Sequence, residues 1–231
     1  MRFSIYRFNP EKDKRPRMQQ YDVALGAHDR MLLDALMRIH EQDDSLGFRK
    51  SCREGVCGSD AMSINGRNGL ACVTPLRGLR EPVELCPLPG FPVIRDLIVD
   101  MTRFFAQYRS IKPYVENYEP QGERERLQSP EERAQLDGLY ECILCACCSG
   151  FCPSYWWNPE RFLGPATLLQ AMRFIADSRD RAGDERLMYL DDAYRLFRCR
   201  TIMNCTEVCP KGLNPARAIE RIRQRMLKQK I

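Results

Sequence analysis

Histidine is almost missing from this chain: His28 and His40 are the only two in 231 residues. Imidazole is the usual group for proton transfer and metal ligation near neutral pH, so histidine-based catalysis and histidine-ligated metal have little to draw on. Both residues sit in or beside a helix-like stretch and read as structural or surface groups. Long apolar runs are missing too, and no segment approaches the roughly eighteen residues of a membrane-spanning helix. Charge of one sign is not in large excess. The 36 basic and 31 acidic residues leave +5, spread along the chain, which argues against nucleic acid as a partner. A secretory leader is not expected, because charge begins at the second position and MRFSIYRFNP alternates like a strand from its start.

What the chain has in quantity is cysteine, twelve residues of it. Without a leader, they point to a reducing compartment and to metal, not to disulfides. From Cys142 the sequence reads CILCACCSGFCP, which sets Cys142, Cys145, Cys148 and Cys152 at the spacing Cys-x2-Cys-x2-Cys-x3-Cys-Pro. This is the iron–sulfur run of bacterial ferredoxins, in which three close cysteines face one cluster and the fourth serves another. A zinc site can use paired Cys-x2-Cys units, but it leaves most of these thiols without a role. Cys147 falls off the spacing and reads as a packed or spare thiol.

A partner run follows in RCRTIMNCTEVCPKG. On the same template, Cys199, Ile202, Cys205, Cys209 and Pro210 occupy the marked positions, so an apolar residue stands where the second cysteine belongs. If the two runs exchange their last cysteines, one site receives Cys142, Cys145, Cys148 and Cys209, enough for a 4Fe–4S cluster. The other receives Cys152, Cys199 and Cys205, and three thiolates beside Ile202 imply a 3Fe–4S cluster.

The first hundred residues read as strand, strand, helix, loop, hairpin and strand. Arg2 to Phe8 and Met18 to Val23 alternate as strands, and Met31 to His40 has helical spacing with Leu32, Leu36 and Ile39 on one face. In SCREGVCGSDAMSINGRNGLACVTP, the pattern Cys52-x4-Cys57-x2-Asp60 followed by Cys72 is plant-type 2Fe–2S spacing, with Asp60 where a third cysteine would stand. Asp60 is read as an iron ligand, with a hydrogen-bond acceptor behind the cluster as its alternative role. Gly55 and Gly58 let the backbone fold closely round the cluster, and Asn65-Gly66 and Asn68-Gly69 supply turns that return Cys72 to the loop. Cys86 fits no spacing and reads as a buried strand residue.

Val93 to Tyr108 reads as a helix with Leu97, Met101, Phe104 and Phe105 as its apolar stripe. Glu119 to Pro130 is a polar connection. Helices are expected over Pro130 to Leu144, Pro165 to Ala176, Glu185 to Phe197 and Pro215 to Lys230, with good starts at Ser129-Pro130 and Asn214-Pro215. Arg217, Arg221, Arg225 and Lys228 line one side of the last helix. They read as a solvated face, with an anionic membrane surface as the alternative.

Taken with PSYWWNPERFLGPA between the cysteine runs and with CPKGLNP, the whole chain resembles the iron–sulfur subunits of succinate dehydrogenase, respiratory complex II. The resemblance implies an α+β protein. Residues 1–104 would be a β-grasp 2Fe–2S ferredoxin domain, and residues 105–231 an all-α helical ferredoxin-like domain with the 4Fe–4S and 3Fe–4S clusters. It assigns the same three ligand sets as the spacing does. It also implies an FAD-containing flavoprotein as electron donor, a membrane anchor with or without haem b, and quinone as acceptor. Pro153, Trp157 and Ile202 fall where the family lines its quinone site. Arg200 departs from the family, many of whose members have histidine after the cysteine matched by Cys199; a fixed positive charge replaces a group able to relay protons. The expected location is peripheral, on the cytoplasmic face of a bacterial inner membrane. A quinol:fumarate reductase subunit, using the same clusters in the opposite direction, and a free soluble ferredoxin are the other readings.

Overall fold

The structure is a computed structural model, and it describes residues 1–120, 122 and 124–229. It divides into two compact units, Met1–Met101 together with Ile143–Phe151, and Thr102–Cys142 together with the chain from Cys152 onward. Sequence order places Ile143–Phe151 beyond the 104/105 boundary, yet this strip folds with the first unit.

The first unit is built on a mixed five-stranded sheet. Its strands are β1 (Arg2–Arg7), β2 (Arg17–Asp22), β3 (Ala61–Ile64), β4 (Arg67–Leu70) and β5 (Val83–Cys86), ordered β2-β1-β5-β3-β4. β1 runs parallel to β5 and antiparallel to β2. As a central strand it buries Phe3, Ser4 and Ile5 in succession, because both its faces are covered. Helix α1 (Leu32–Gln42) contributes Leu32, Leu33, Ala35, Leu36 and Ile39 to the core. The Asp34 carboxylate reaches back to the Met31 amide at 2.9 Å and fixes the start of that helix. Asn65 and Gly66 turn β3 into β4, whereas Asn68 and Gly69 lie inside β4, paired with Ser63 and Met62. Cys86 ends β5 half-buried.

The expected helix from Val93 to Tyr108 does not form as such. Residues 93–99 make a two-stranded ribbon, β6 (Val93–Arg95) and β7 (Ile98–Val99), and only α2 (Thr102–Ser110) is helical. Asp96, at φ 46°, turns the ribbon, and its carboxylate is held by Arg7 Nε at 3.1 Å and by the amides of Phe8 and Gly47 at 2.8 and 2.7 Å. A long-range ion pair overrides the local apolar rhythm. The same guanidinium bonds Asp43 at 2.6 Å and Ser45 at 2.7 Å, and also the Tyr21 hydroxyl. One buried arginine thereby ties together β1, β2, the end of α1 and the β6–β7 turn.

The second unit is helical. α3 (Pro130–Ala134) begins with a Ser129–Glu132 capping box, but the chain then proceeds through turns, so the helix expected to Leu144 stops early. α4 (Cys147–Gly150) belongs to the first unit's strip, and α5 (Pro153–Trp157) follows it in sequence. α6 (Gly164–Ala176) is buried along most of its length and packs chiefly on α9 (Pro215–Gln229). α7 (Gly183–Leu190) is shorter than the expected Glu185 to Phe197. Asp192 takes the amides of Tyr194 and Arg195 at 2.8 and 2.9 Å and folds that stretch into turns instead. α8 (Asn204–Glu207) is a single turn. Lys230, the expected end of the last helix, lies outside the described residues, as do Gln121 and Glu123 in the 119–130 connection. The basic stripe of α9 is not all solvated: Arg225 donates to the Ile175 carbonyl at 2.6 Å, and burial lowers the pKa of both Arg221 and Arg225. Arg186, also buried, gathers the carbonyls of Ile111, Lys112 and Tyr114 and pairs with Asp180 at 2.8 Å.

Removing Arg7 takes from the Asp96 carboxylate, 2% exposed, its buried cation and leaves only the half-exposed Arg95 at 3.8 Å. Arg7→Met is therefore expected to destabilise the chain by about 3–5 kcal/mol, read from urea unfolding. Hydrogen bonds from Ser45, Tyr21 and Arg7 hold the Asp43 carboxyl well below the usual carboxylate range. Its contribution is present above the unfolded pKa of about 4 and is lost as pH falls through the folded value. The stability difference between wild type and Asp43→Asn should accordingly shrink below about pH 4 in an unfolding series against pH.

Candidate metal centres

The loop from Ser51 to Asp60 is shaped by backbone conformations that side chains resist. Arg53, Gly55 and Gly58 take φ of 66°, 71° and 68°, which curls the chain round Cys52. The Cys52 sulfur receives the amides of Cys57, Val56 and Glu54 at 3.2, 3.4 and 3.5 Å. These N–H dipoles favour a thiolate and lower the Cys52 pKa to about 7. A Cβ at Gly58 would lie 2.8 Å from the Cys145 Cβ, and one at Gly55 would lie 2.9 Å from a methyl of Val73. Glycine is required at both points by close approach as well as by φ.

Cys72, in a 3₁₀ turn over Ala71–Val73, is brought to this loop by β4. Burial first, and Asp60 beside it second, push its thiol up to about 12. Asp60 is 3% exposed. Its Oδ2 accepts the Cys72 amide at 2.6 Å, while its buried Oδ1 has no hydrogen-bond partner among the described residues. One oxygen thus orients the Cys72 backbone and the other is uncommitted. Cys57 is exposed, its sulfur 3.1 Å from the Ser59 hydroxyl. Thiols gathered on amide donors, with a buried carboxylate oxygen unspent, suit a 2Fe–2S cluster.

The two ferredoxin-type runs share a backbone pattern that spacing alone does not reveal. In the first, Leu144 and Ala146 are left-handed at φ 54° and 63°; in the second, Thr201 and Met203 are left-handed at φ 55° and 74°. These positions correspond residue for residue, counted from Cys142 and from Cys199. In each run the second left-handed residue precedes a one-turn helix, and the third position of the cysteine spacing, Cys148 or Cys205, is that helix's second residue. Left-handed non-glycine residues, a β-branched threonine among them, cost roughly 1–2 kcal/mol each. Such strain collects where the backbone is shaped for function. Ile202 stands in the same backbone setting as Cys145, 49% exposed.

Cys152, Cys199 and Cys205 lie within electrostatic reach of one another. Burial pushes the Cys205 thiol up to about 11, and charge on Cys152 and Cys199 adds to the rise. Cys152 is raised by burial and by Cys199, against the amides of Tyr155 and Ser154 that lower it. Three thiols close enough for charge on one to raise the pKa of its buried neighbours are a donor set suited to bound iron, which binds them deprotonated. Among the described residues no three histidine, cysteine or acidic side chains converge closely enough for a single metal ion. Ligands of a cluster surround several irons and stand farther apart than those of one ion.

The expected quinone-site residues sit on the second unit. Pro153 opens α5 and Trp157 ends it, 74% exposed. Tyr155 between them is buried and donates to Gln107 at 3.0 Å, and Gln107 in turn bonds the carbonyls of Pro159 and Phe162 at 2.7 and 3.0 Å. This anchor turns Tyr155 inward and leaves Trp157 outward. Arg200 is exposed. Two participants escaped the sequence reading. Asn68 donates to the Cys147 carbonyl at 3.0 Å, and Arg223 donates to the Cys199 carbonyl at 2.8 Å. Asn68 lies in the first cysteine stretch but reads as a turn residue, and Arg223 lies off the 217–221–225–228 stripe, so no local signal marks either as a carbonyl partner.

Residues 2–106 match a family described as a 2Fe-2S iron-sulfur cluster binding domain, and residues 141–214 match a 4Fe-4S dicluster domain. The chain is 61% identical to the succinate dehydrogenase iron-sulfur subunit of Coxiella burnetii over 230 residues, 99% of this chain and 98% of that one. It is 52% identical to the subunit of the same name from Paracoccus denitrificans, over 98% of this chain and 88% of that one. Its fold matches a chain of the Mycobacterium smegmatis Sdh1 complex in the apo form, with a TM-score of 0.88 at 26% identity, over 99% and 96% of the two chains.

Two glycines with similar φ separate close approach from conformation. Gly58→Ala would collide with Cys145 and is expected to cost about 1–3 kcal/mol from overpacking beyond its backbone strain. Gly66→Ala, at φ 81° with no atom within 4 Å of the added methyl, should cost only the backbone term of about 1–2 kcal/mol. Denaturant midpoints of the two variants, measured side by side, check the difference.

Proposed function

Because the chain belongs to the family of succinate dehydrogenase iron–sulfur subunits, we propose that it is the electron-transfer subunit of a succinate:quinone oxidoreductase. In this reading an FAD-containing flavoprotein partner oxidises succinate, and a membrane anchor shares the quinone site. When bound, 2Fe–2S, 4Fe–4S and 3Fe–4S clusters supply one-electron carriers between the two-electron chemistries of flavin and quinone. The observation that carries the reading is the repeated left-handed pair in the two cysteine runs, with isoleucine in one where cysteine stands in the other.

The chain's own residues hold, shield and tune. Cys52, Cys57, Asp60 and Cys72 would ligate the 2Fe–2S cluster, with Asp60 Oδ1 as the oxygen available to iron. Cys142, Cys145, Cys148 and Cys209 would ligate the 4Fe–4S cluster, and Cys152, Cys199 and Cys205 the 3Fe–4S cluster. Ile202 supplies no fourth thiolate, so less negative charge surrounds that centre and its reduction is favoured, as suits the centre nearest the acceptor. Pro153, Trp157 and Ile202 would line the quinone site, and the outward indole N–H of Trp157 can donate to a quinone oxygen. Arg200 brings a permanent positive charge where a histidine would titrate, so protons for quinone reduction come from other groups. No residue of this chain is assigned to succinate. No helix among the described residues is long and apolar enough to cross a membrane; the chain associates peripherally, on the cytoplasmic face in this reading.

Iron and sulfide analysis of the anaerobically purified complex, with EPR after reduction by succinate, tests the whole assignment. Two variants test its parts. Ile202→Cys restores the first run's ligand pattern and should replace the 3Fe EPR signal of the oxidised protein with a 4Fe–4S centre of lower potential. A 3Fe signal persisting at full intensity in assembled complex would show that geometry, not the missing thiolate, sets the cluster type. Asp60→Ala should make the 2Fe–2S cluster labile, whereas Asp60→Cys should retain it at a lower potential; full occupancy and an unchanged potential in the alanine variant would return Asp60 to a purely supporting role.

A further inference from the structure

Arg223 sits on α9 away from every cysteine motif, yet its Nη2 donates to the Cys199 carbonyl at 2.8 Å. The side chain is 22% exposed, and its nearest carboxylate is the exposed Glu220 at 3.9 Å. So loose a pair on the surface leaves most of the guanidinium charge unneutralised. Its Nε is buried and finds no acceptor among the described residues. In the planar guanidinium, Nε–H and Nη2–H form one edge of a fixed fork, so the unspent donor lies on the edge that carries the bond to the Cys199 backbone. A half-buried arginine normally spends its donors; this one holds a proposed ligand residue by its carbonyl and keeps a further hydrogen in reserve.

We propose that Arg223 is a positioning residue for the 3Fe–4S centre, one that fixes the Cys199 loop and sets a permanent positive charge beside the cluster to favour its reduced form. Reduction adds one electron and hence one negative charge. A fixed cation close by stabilises that charge more than it stabilises the oxidised form. Arginine stays protonated at any working pH, so no proton accompanies the electron at this residue. The hydrogen bond also offsets part of the strain of the loop that follows, where Thr201 and Met203 are left-handed. The proposal rests on the assignment of Cys152, Cys199 and Cys205 to a 3Fe–4S cluster.

The test is an EPR-monitored redox titration of the assembled complex carrying Arg223→Gln or Arg223→Lys. At the potential where the wild-type 3Fe centre is half reduced, R223Q should show an oxidised-to-reduced ratio raised about tenfold, equivalent to a midpoint lower by about 59 mV for a one-electron couple. The 2Fe–2S midpoint should stay in place. R223K, which keeps the charge but loses the fork, should stay near the wild-type midpoint. If R223Q loses the 3Fe signal while R223K retains it, the requirement for a cation is likewise upheld. An unmoved midpoint in R223Q, an equal fall in R223K, or loss of the signal in both variants overturns the proposal. A wild-type complex with no 3Fe signal would defeat the cluster assignment itself, a different result from a normal wild-type signal that R223Q leaves unmoved.

Discussion

Thiolates repel one another, and a fold that gathers cysteines must hold them in place. Much of this chain's unusual backbone lies where its cysteines are gathered. Backbone does the holding: three amides aimed at the Cys52 sulfur, and a left-handed pair in each ferredoxin-type run. Curled loops lose the ladder hydrogen bonds of helix and sheet, and left-handed side chains are strained. Away from these loops, each unit carries a buried arginine that ties distant segments together. Arg7 joins two strands, a helix end and a ribbon turn in the first unit. Arg186 gathers the chain that follows α2 and pairs with Asp180 in the second.

Cysteine spacing was legible in the sequence because the geometry it encodes is local. A gap of two residues is one turn of curled backbone, whatever the surroundings. The β-grasp sheet was legible for a related reason, since the strand-forming stretches alternate and Asn65-Gly66 marks a tight hairpin. The failures have one long-range cause and two local ones. Leu97, Met101, Phe104 and Phe105 do fall at helical intervals, yet Arg7, far away in sequence, claims Asp96 and bends that stretch into a ribbon. Asp192 ends the next apolar rhythm by capping amides that a continuing helix would have used. Gly138, left-handed at φ 77°, lies in the turns where the helix expected from Pro130 has already ended.

The same division holds at the candidate centres. Spacing nominates candidate donors, but it does not mark the residues that support their backbone. Nothing near Asn68 or Arg223 in sequence marks either as a partner of a cysteine-run carbonyl. The inward anchor at Tyr155, which decides that Trp157 faces out, depends on Gln107 in another helix. Ligands repeat a pattern; supports are improvised by the fold around it.

The strip from Ile143 to Phe151, packed with the sheet unit, bears on how the chain is made. A ribosome delivers the sheet, its glycine-shaped loop and Asn68 long before it delivers this strip. Until the chain has grown past Phe151, the backbone at Gly58 lacks the Cys145 wall against which it closes, and the Asn68 amide lacks its carbonyl. The sheet unit therefore matures late, with its cysteine loop open on one side while the helical half is still emerging. The loop's closing wall thus comes from far along the chain, and the loop reaches its final packing only when that strip settles.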